Sequence, residues 1–528
     1  MVGSQPVASH LRGALALALL LVTPAFADVV SKAPDAVAVT VYRDRPATAA
    51  SLRENSDDTA GLAMIAETRT VDLPAGRTRI EFQGVADAII PASAALTGLP
   101  GRLVERSFDY DLLDPGSLIE KSVGQSVVIR RTNPKTGKVT EEPATLRSGP
   151  DGVVVQTSGG VEALGCGTGP QALVFDHLPP GLADRPTLSA VADAPKAGRY
   201  KLTLSYLTVR IDWSADYVAR LSADGATLDL TGWLTLSNRS GMSFADAPTS
   251  VVAGALARVA PDLPDIAPKE VETECWPMGT TSDFARREAM GRLEDEAIPS
   301  PPPPPMTMAK AAVSEVVVTA EKRTVQTNLG DYKLYSLIEP TTVAAQQTKQ
   351  IRFLHQTGVK FEKLYVFRAD AWNSLGDGDV RPAQVVLRFE NKAANGLGLA
   401  LPAGNVSVRQ PQAIAGGREV FIGEHGVRDV PENEEFELPV GEAADVQVQG
   451  RLVSDETKSG RERTALAFTL TNAKPVPATF ELRQRPDGED FRVLTETSAH
   501  VLKNGDDVWR LTLPANGTVV LSYTFETR

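Results

Sequence analysis

The chain has 528 residues, with 54 Lys plus Arg against 66 Asp plus Glu, a formal net charge of −12 and two cysteines. This acidic balance, with no basic cluster interleaved with aromatics, disfavours nucleic acid and anionic membrane surfaces as partners. The length allows two to four domains, and two cysteines cannot staple that much chain, so stability must come from apolar cores.

Residues 1–27 have the layout of a secretory signal. His10 and Arg12 precede an apolar run at 13–22, Pro24 breaks it, and Ala25-Phe26-Ala27 supplies the small-x-small pattern of a signal-peptidase site. An apolar run of about ten residues is too short for a hydrocarbon core that needs roughly 20. No cysteine follows the cleavage site to carry a lipid. The expected mature chain starts near Asp28, has a net charge of −13 once Arg12 is lost, and contains no transmembrane segment. Its expected place is the periplasm or the cell surface. In that compartment a disulfide between Cys166 and Cys275 is permitted, and the sequence leaves open whether it forms.

From there on, alternation with a period of two dominates, bounded by Gly, Asp, Asn and Pro, which reads as antiparallel strands. Examples are VAVTVY (37–42), TRIEF (78–82), YKLTLSYL (200–207), VQVQGRL (446–452), TALAFTL (464–470) and VVLSYTF (519–525). A short β-branched run, VVVQ (153–156), reads the same way, as does 385–389. Gly232 sits between two strand-like pieces and predicts a bulge or a close backbone approach. Asp224-Gly225 and Asn504-Gly505 are hairpin signals. Helical signals are few. Asp114-Pro115 predicts a capped short helix reaching to about residue 123, and SDFARREAMGRLEDEA (282–297) reads as a charged, peripheral one. Between 261 and 328 the composition turns Pro-rich and charged, including five consecutive prolines at 301–305. Such a run is extended and cannot join a packed core.

The expected organisation is therefore all-β: antiparallel β-sandwiches in several domains, a Pro-rich linker and few short helices. An N-terminal β domain is expected at 28–108 and a middle β domain at 109–260. The linker follows at 261–328, then a β region continuing the middle domain at 329–445, and a C-terminal immunoglobulin-like sandwich at 446–528.

Chemistry-bearing motifs are scarce. His177, His355, His425 and His500 each stand alone, without a His-x-His, an HExxH or a neighbouring Cys ligand, and read as surface or structural histidines. There is no nucleophile elbow, P-loop or dinucleotide fingerprint. Asp377-Gly378-Asp379 lacks the later positions of a calcium loop. Glu432-Asn433-Glu434-Glu435 reads as a solvated loop. Neither a cofactor nor a metal is expected, and no catalytic residue can be named.

Several phrases in fixed order nevertheless resemble a known family. They are YDLLDPGSLIEKSVG (110–124), RPTL (185–188), LSYL (204–207), WSADYVA (213–219), LTLSNRSG (234–241) and ADA (245–247). Beyond the linker come LGDYKLYSL (329–337), TKQ (348–350), KLY (363–365), LPAG (401–404), FIGE (421–424) and LTN (470–472). Together they resemble the bacterial exported family catalogued as domain of unknown function 4139 and cover nearly the whole mature chain. The resemblance implies a β-rich envelope protein and supplies no catalytic residues. Within the shared phrases, Trp213 and Tyr217 read as anchors of a sheet edge or corner rather than ligand holders. Asn238 and Asn472 suit turns by bonding their own backbone.

A second, shorter resemblance lies in SEVVVTAEKR (314–323), which is similar to the TonB-box region of TonB-dependent receptors. Such a box adds as a strand to a partner's sheet edge. The resemblance makes Glu315, Val316, Val317, Val318, Thr319 and Ala320 candidate partner-binding residues, read by an envelope or outer-membrane protein. The favoured expectation is a non-catalytic binding or scaffold protein. The alternative is a periplasmic hydrolase acting on glycan or peptide with dispersed carboxylates.

Overall fold

The computed structural model describes residues 27–43, 60–109, 113–257, 324–369, 379–412 and 418–527, apart from short gaps at 134, 149–152, 165–170, 180–181, 255, 459 and 487–489. Residues 1–26, both cysteines, the stretch 282–297, the proline run and residues 315–320 lie outside the described residues.

Strands account for about two thirds of the described residues, as the alternation predicts, and the molecule is an all-β assembly of packed sheets. The first sandwich faces a four-stranded sheet against a seven-stranded one. The four-stranded sheet runs in the order Ala27–Ser31, Gly76–Gln83, Thr187–Ala194, Arg102–Asp109. The seven-stranded order is Thr324–Leu329, Tyr332–Leu337, Thr249–Ala253, Ala36–Tyr42, Leu62–Leu73, Gly198–Thr208, Ala95–Thr97. Tyr332–Leu337 pairs antiparallel with Thr249–Ala253, so chain from both sides of 258–323 shares this one sheet. Between the two layers Arg69, fully buried, is saturated by the Glu67 carboxylate and the carbonyls of Ser31 and Gln83. Tyr206 donates to the other Glu67 oxygen at 2.6 Å. A buried charge persists only when satisfied in this way.

A small subdomain is inserted between Arg102–Asp109 and Thr187–Ala194. It has five strands over its own core of Ile119, Val127, Ile129, Leu146 and Val155. Its helix, Pro115–Lys121, starts as predicted: Asp114 accepts from the Ser117 N–H at 2.8 Å and Pro115 fills the first turn. Among the described residues no helix is long and apolar enough to cross a membrane.

A five-stranded sheet, ordered Gln347–Lys360, Thr227–Asn238, Ile211–Leu221, Gly404–Pro411, Glu419–Val427, extends the same core. Here the prediction at Gly232 is met in both its senses. The ladder to Gln347–Lys360 slips between Gly232 and Trp233, with Phe353 as the extra residue. A Cβ on Gly232 would lie 2.6 Å from the Phe353 ring. Trp213 and Tyr217 do act as anchors, but from the central strand of this sheet rather than from an edge. Trp213 donates to the Val252 carbonyl at 3.3 Å, and Tyr217 to that of Pro402 at 2.6 Å.

Last comes a nine-stranded sheet, ordered Arg492–Glu496, Gly517–Thr527, Arg461–Asn472, Glu435–Lys458, Val380–Glu390, Glu362–Arg368, Ala478–Gln484, Asp506–Leu513, Val501–Lys503. Trp509 and Tyr523 sit near opposite ends of that order yet stack at 4.2 Å between ring centroids. The sheet therefore folds over on itself and closes around Phe468, Leu470, Phe480 and Leu482. Its final hairpin turns through Asn504 and Gly505, both with positive φ, as the Asn-Gly signal requires.

One device recurs at the ends of three strands. Asn238, Asn391 and Asn472 are each at most 1% exposed. Each oxygen accepts a nearby backbone N–H, from Ser240, Gly398 and Lys474 respectively. The amide groups, however, reach across to other segments. That of Asn472 donates to the carbonyls of Val476 at 3.0 Å, Pro514 at 2.9 Å and Leu513 at 3.4 Å. These asparagines thus clamp two loops together instead of only closing their own turn. Replacing Asn472 by Ala strands those carbonyls, and urea denaturation is expected to show a loss of about 1–3 kcal/mol.

Candidate functional site

The largest concentration of charge among the described residues lies on the outer face of the nine-stranded sheet, and strand register explains it. In Ala478–Gln484, Phe480 and Leu482 point into the sandwich, which sends Glu481 and Arg483 to the other face. Glu437 lies opposite Arg388, Arg388 opposite Glu362, and Glu481 opposite Arg510. Acids and bases therefore alternate across neighbouring strands, the favourable arrangement for directly opposed residues.

At the centre the geometry is dense. Arg388, 6% exposed, grips Glu481 with two bonds of 2.8 and 2.7 Å and meets Glu437 at 2.8 Å. Arg483 closes the square with bonds of 2.7 Å to Glu437 and 2.7 Å to Glu481. Glu362 pairs with Arg510 at the margin. Burial by itself would raise the Glu437 carboxyl, but bonds from Arg483 and Arg388 outweigh it and hold it down to about 2. Glu481 is shifted the same way: burial opposes, and the bonds from Arg388 and Arg483 win.

This ladder forms one wall of a cleft of about 420 Å³, whose other wall is the turn leaving Glu419–Val427. Five cations (Arg368, Arg428, Arg483, Arg485, Lys503) line it against three carboxylates (Glu435, Glu437, Asp506), with Val427, Val430, Phe436 and Val508 between them. Asp506 is shared by Arg368 at 3.1 Å and Arg485 at 3.2 Å, and Lys503 holds Glu435 at 2.6 Å. Arg428 pairs with Glu434 outside the lining set. The rim guanidiniums are 48% (Arg368), 66% (Arg428) and 67% (Arg485) exposed, so a ligand can reach them.

Chemically the cleft suits recognition of an acidic group. A general acid for hydrolysis needs a carboxyl raised toward the working pH; Glu437 is displaced in the opposite direction. Cations outnumber carboxylates in the lining, and guanidinium forks match carboxylate and phosphate geometry.

The residues singled out in the sequence fall elsewhere. Glu315, Val316, Val317, Val318, Thr319 and Ala320 lie outside the described residues, as do Asp377 and Gly378. Among the described residues no His, Cys, Asp and Glu cluster could hold a metal. His177 and His425 are exposed, and His355 lies 3.1 Å from the Thr231 hydroxyl. Both nitrogens of His500 meet carboxylates, Glu496 at 2.7 Å and Asp507 at 3.2 Å. The run 432–435 is an exposed turn at Glu432 and Asn433, as expected, but Glu435 begins the next strand and lines the cleft. The network residues were missed because each looks like an ordinary polar position of an alternating strand. The one available signal is in FELRQ (480–484), where both faces of the strand are buried. Searches against family models and curated proteins return no match for this chain.

Replacing Arg388 by Met leaves Glu481, 2% exposed, without its main partner. The expected cost is about 3–5 kcal/mol in denaturant unfolding. Acid should act on the same network. The contribution of Glu437 is complete above its ordinary value of 4.5 and is lost as pH falls through that value toward about 2. Thermal melts across this window should steepen in pH dependence for the parent protein and flatten in Glu437→Gln.

Proposed function

We propose that this chain is an exported, non-catalytic binding or scaffold protein of the cell envelope, and that the charged cleft receives an acidic group of its partner. The observation that carries this reading is the basic excess at the cleft mouth, where Arg368, Arg428 and Arg485 remain accessible although each already holds a carboxylate. Arg428 can exchange Glu434, 33% exposed, for an acidic ligand group, while Asp506, 8% exposed, keeps one of its two guanidiniums if the other turns to the ligand. The secretory layout of residues 1–27 supports the compartment. The phrases resembling the domain of unknown function 4139 family support the same placement, and an immunoglobulin-like reading of the C-terminal sandwich belongs with it. Residues 314–323 serve in this proposal as a second contact, offered as an extended strand to an outer-membrane or TonB-type protein.

The competing reading, a hydrolase of glycan or peptide, needs a carboxyl kept protonated at a cleft, and Glu437, held by Arg483 and Arg388, is displaced the other way. Crosslinking followed by pull-down from the native periplasm tests the proposal with three proteins: the full chain, a deletion of 314–323, and the double variant Arg428→Glu, Arg485→Glu. Partners captured by the full chain should be lost in part with each change. Capture unaffected by the deletion removes the strand-docking role; capture unaffected by the double variant removes the cleft.

A further inference from the structure

We propose that the groove along the free edge of the Gln347–Lys360 strand is a docking site for an extended peptide segment of a partner protein, one that places a single acidic side chain among apolar ones. This goes beyond the reading above, because none of the residues lining this groove lines the charged cleft.

The edge comes first. Gln347–Lys360 stands at the end of the five-stranded order and pairs only with Thr227–Asn238 among the described residues. From Gln347 to Arg352 its ladder is unbroken, six residues in register with Asn238 back to Trp233. A stretch of that length spans about 20 Å at roughly 3.3 Å per residue. An open edge of regular strand offers a row of unpaired amides and carbonyls, which a second extended chain can complete. At Phe353 the opening ends: the Thr324 hydroxyl donates to the Phe353 carbonyl at 3.2 Å and caps the edge.

The groove itself supplies selectivity. It encloses about 510 Å³ between this strand and the segment 337–341. Its far wall presents Leu337, Ile338 and Pro340, with Ile338 54% exposed. Exposed apolar side chains facing a strand edge match the apolar side chains of an added strand. The polar groups nearby are mostly committed. Lys349 donates to the Thr341 hydroxyl and the Thr342 carbonyl, both at 2.9 Å, and Gln350 donates to the Thr235 hydroxyl at 3.1 Å. Glu339 lies exposed on the rim.

Arg352 is the exception. Its half-buried guanidinium makes no hydrogen bond or ion pair among the described residues, and it lines the groove directly opposite Trp233 in the ladder. A partly desolvated guanidinium with free donors selects a carboxylate. Apolar wall, open backbone edge and one spare cation therefore describe a peptide with apolar side chains around one Asp or Glu. A saccharide stacked on Trp233 is the other occupant of such a groove, but it would use neither the backbone edge nor a charge.

Fluorescence anisotropy tests this with two labelled nonapeptides, Thr-Val-Thr-Val-Glu-Val-Thr-Val-Thr and the same peptide with Lys at its centre, against the full chain and Arg352→Glu. The Glu peptide should bind the parent protein and weaken about ten- to a hundredfold on Arg352→Glu. The Lys peptide should show the reverse preference, and this charge-swap rescue separates recognition from misfolding. Equal affinity of both peptides for both proteins overturns the proposal. So does binding of maltohexaose or chitohexaose that quenches tryptophan equally in the two proteins while the peptides fail to bind.

Discussion

The constraint on which this architecture depends is that chain from either side of 258–323 must satisfy the same buried polar groups. At the meeting point Arg43, 5% exposed, lies with its guanidinium 4.7 Å from the centre of the Trp213 ring and pairs with Asp429 at 2.8 Å. Asp429 also accepts from the Ala403 N–H at 2.7 Å. Tyr217 and Tyr335 donate to the carbonyls of Pro402 and Ala400, and burial pushes both phenols up, so they remain donors. The bonds among these groups join residues up to 386 positions apart. Those of Arg43, Tyr217 and Tyr335 cannot be released cheaply, because each would leave a donor or acceptor in a low-dielectric interior. The parallel pairing of Ile211–Leu221 with Gly404–Pro411 follows from the same junction. There Gly404 approaches so closely that a Cβ would lie 2.0 Å from the Ala215 carbonyl oxygen.

The junction also fixes where the charged cleft can be. Once Gly404–Pro411 lies beside Ile211–Leu221, its antiparallel partner Glu419–Val427 ends against the Glu435–Lys458 strand, and Gly426, Val427 and Arg428 reach the cleft. Phe436 and Leu438 enter the shared apolar core there, and Glu437 between them points to the other face and carries the ion-pair ladder. Replacing such a ladder with apolar residues is often neutral or favourable for stability in other proteins. Its presence here is therefore better understood through specificity: alternate acids and bases accept one register of neighbouring strands and penalise a slip, since each slip opposes like charges.

Much of this was legible in the sequence, and the reasons for the remainder are specific. Period-two alternation found the strands because each has one buried face. Asp114-Pro115, Gly232 and Asn504-Gly505 were legible because their roles are local, set by backbone dihedrals within a few residues. The strand Glu435–Lys458 was read only from 446, because Pro439 and Gly441 look like breakers; a register slip against Val385 and Val386 absorbs both. Asn472 was expected to serve its own turn, and its oxygen does so, but its amide reaches Leu513, 41 positions away. Arg388 and Glu481 are separated by 93 positions. No local pattern joins them, since sheet order, not spacing along the chain, makes them neighbours.

Sheet order also explains why sites arise where they do. A sheet interior consumes its backbone groups in ladders, leaving only side chains to define a surface, and on the nine-stranded sheet those side chains neutralise one another. An edge keeps half its backbone groups, and proteins normally blunt it with Lys, Pro, bulges or a covering segment. The Gln347–Lys360 strand shows such devices beyond Arg352, where Phe353 bulges inward and Thr324 caps the carbonyl. Before that point the described residues supply none except Lys349, whose ammonium is turned away to Thr341 and Thr342. Among the described residues, then, one half of the strand is blunted and the other is regular, beside a guanidinium with no hydrogen bond or ion pair.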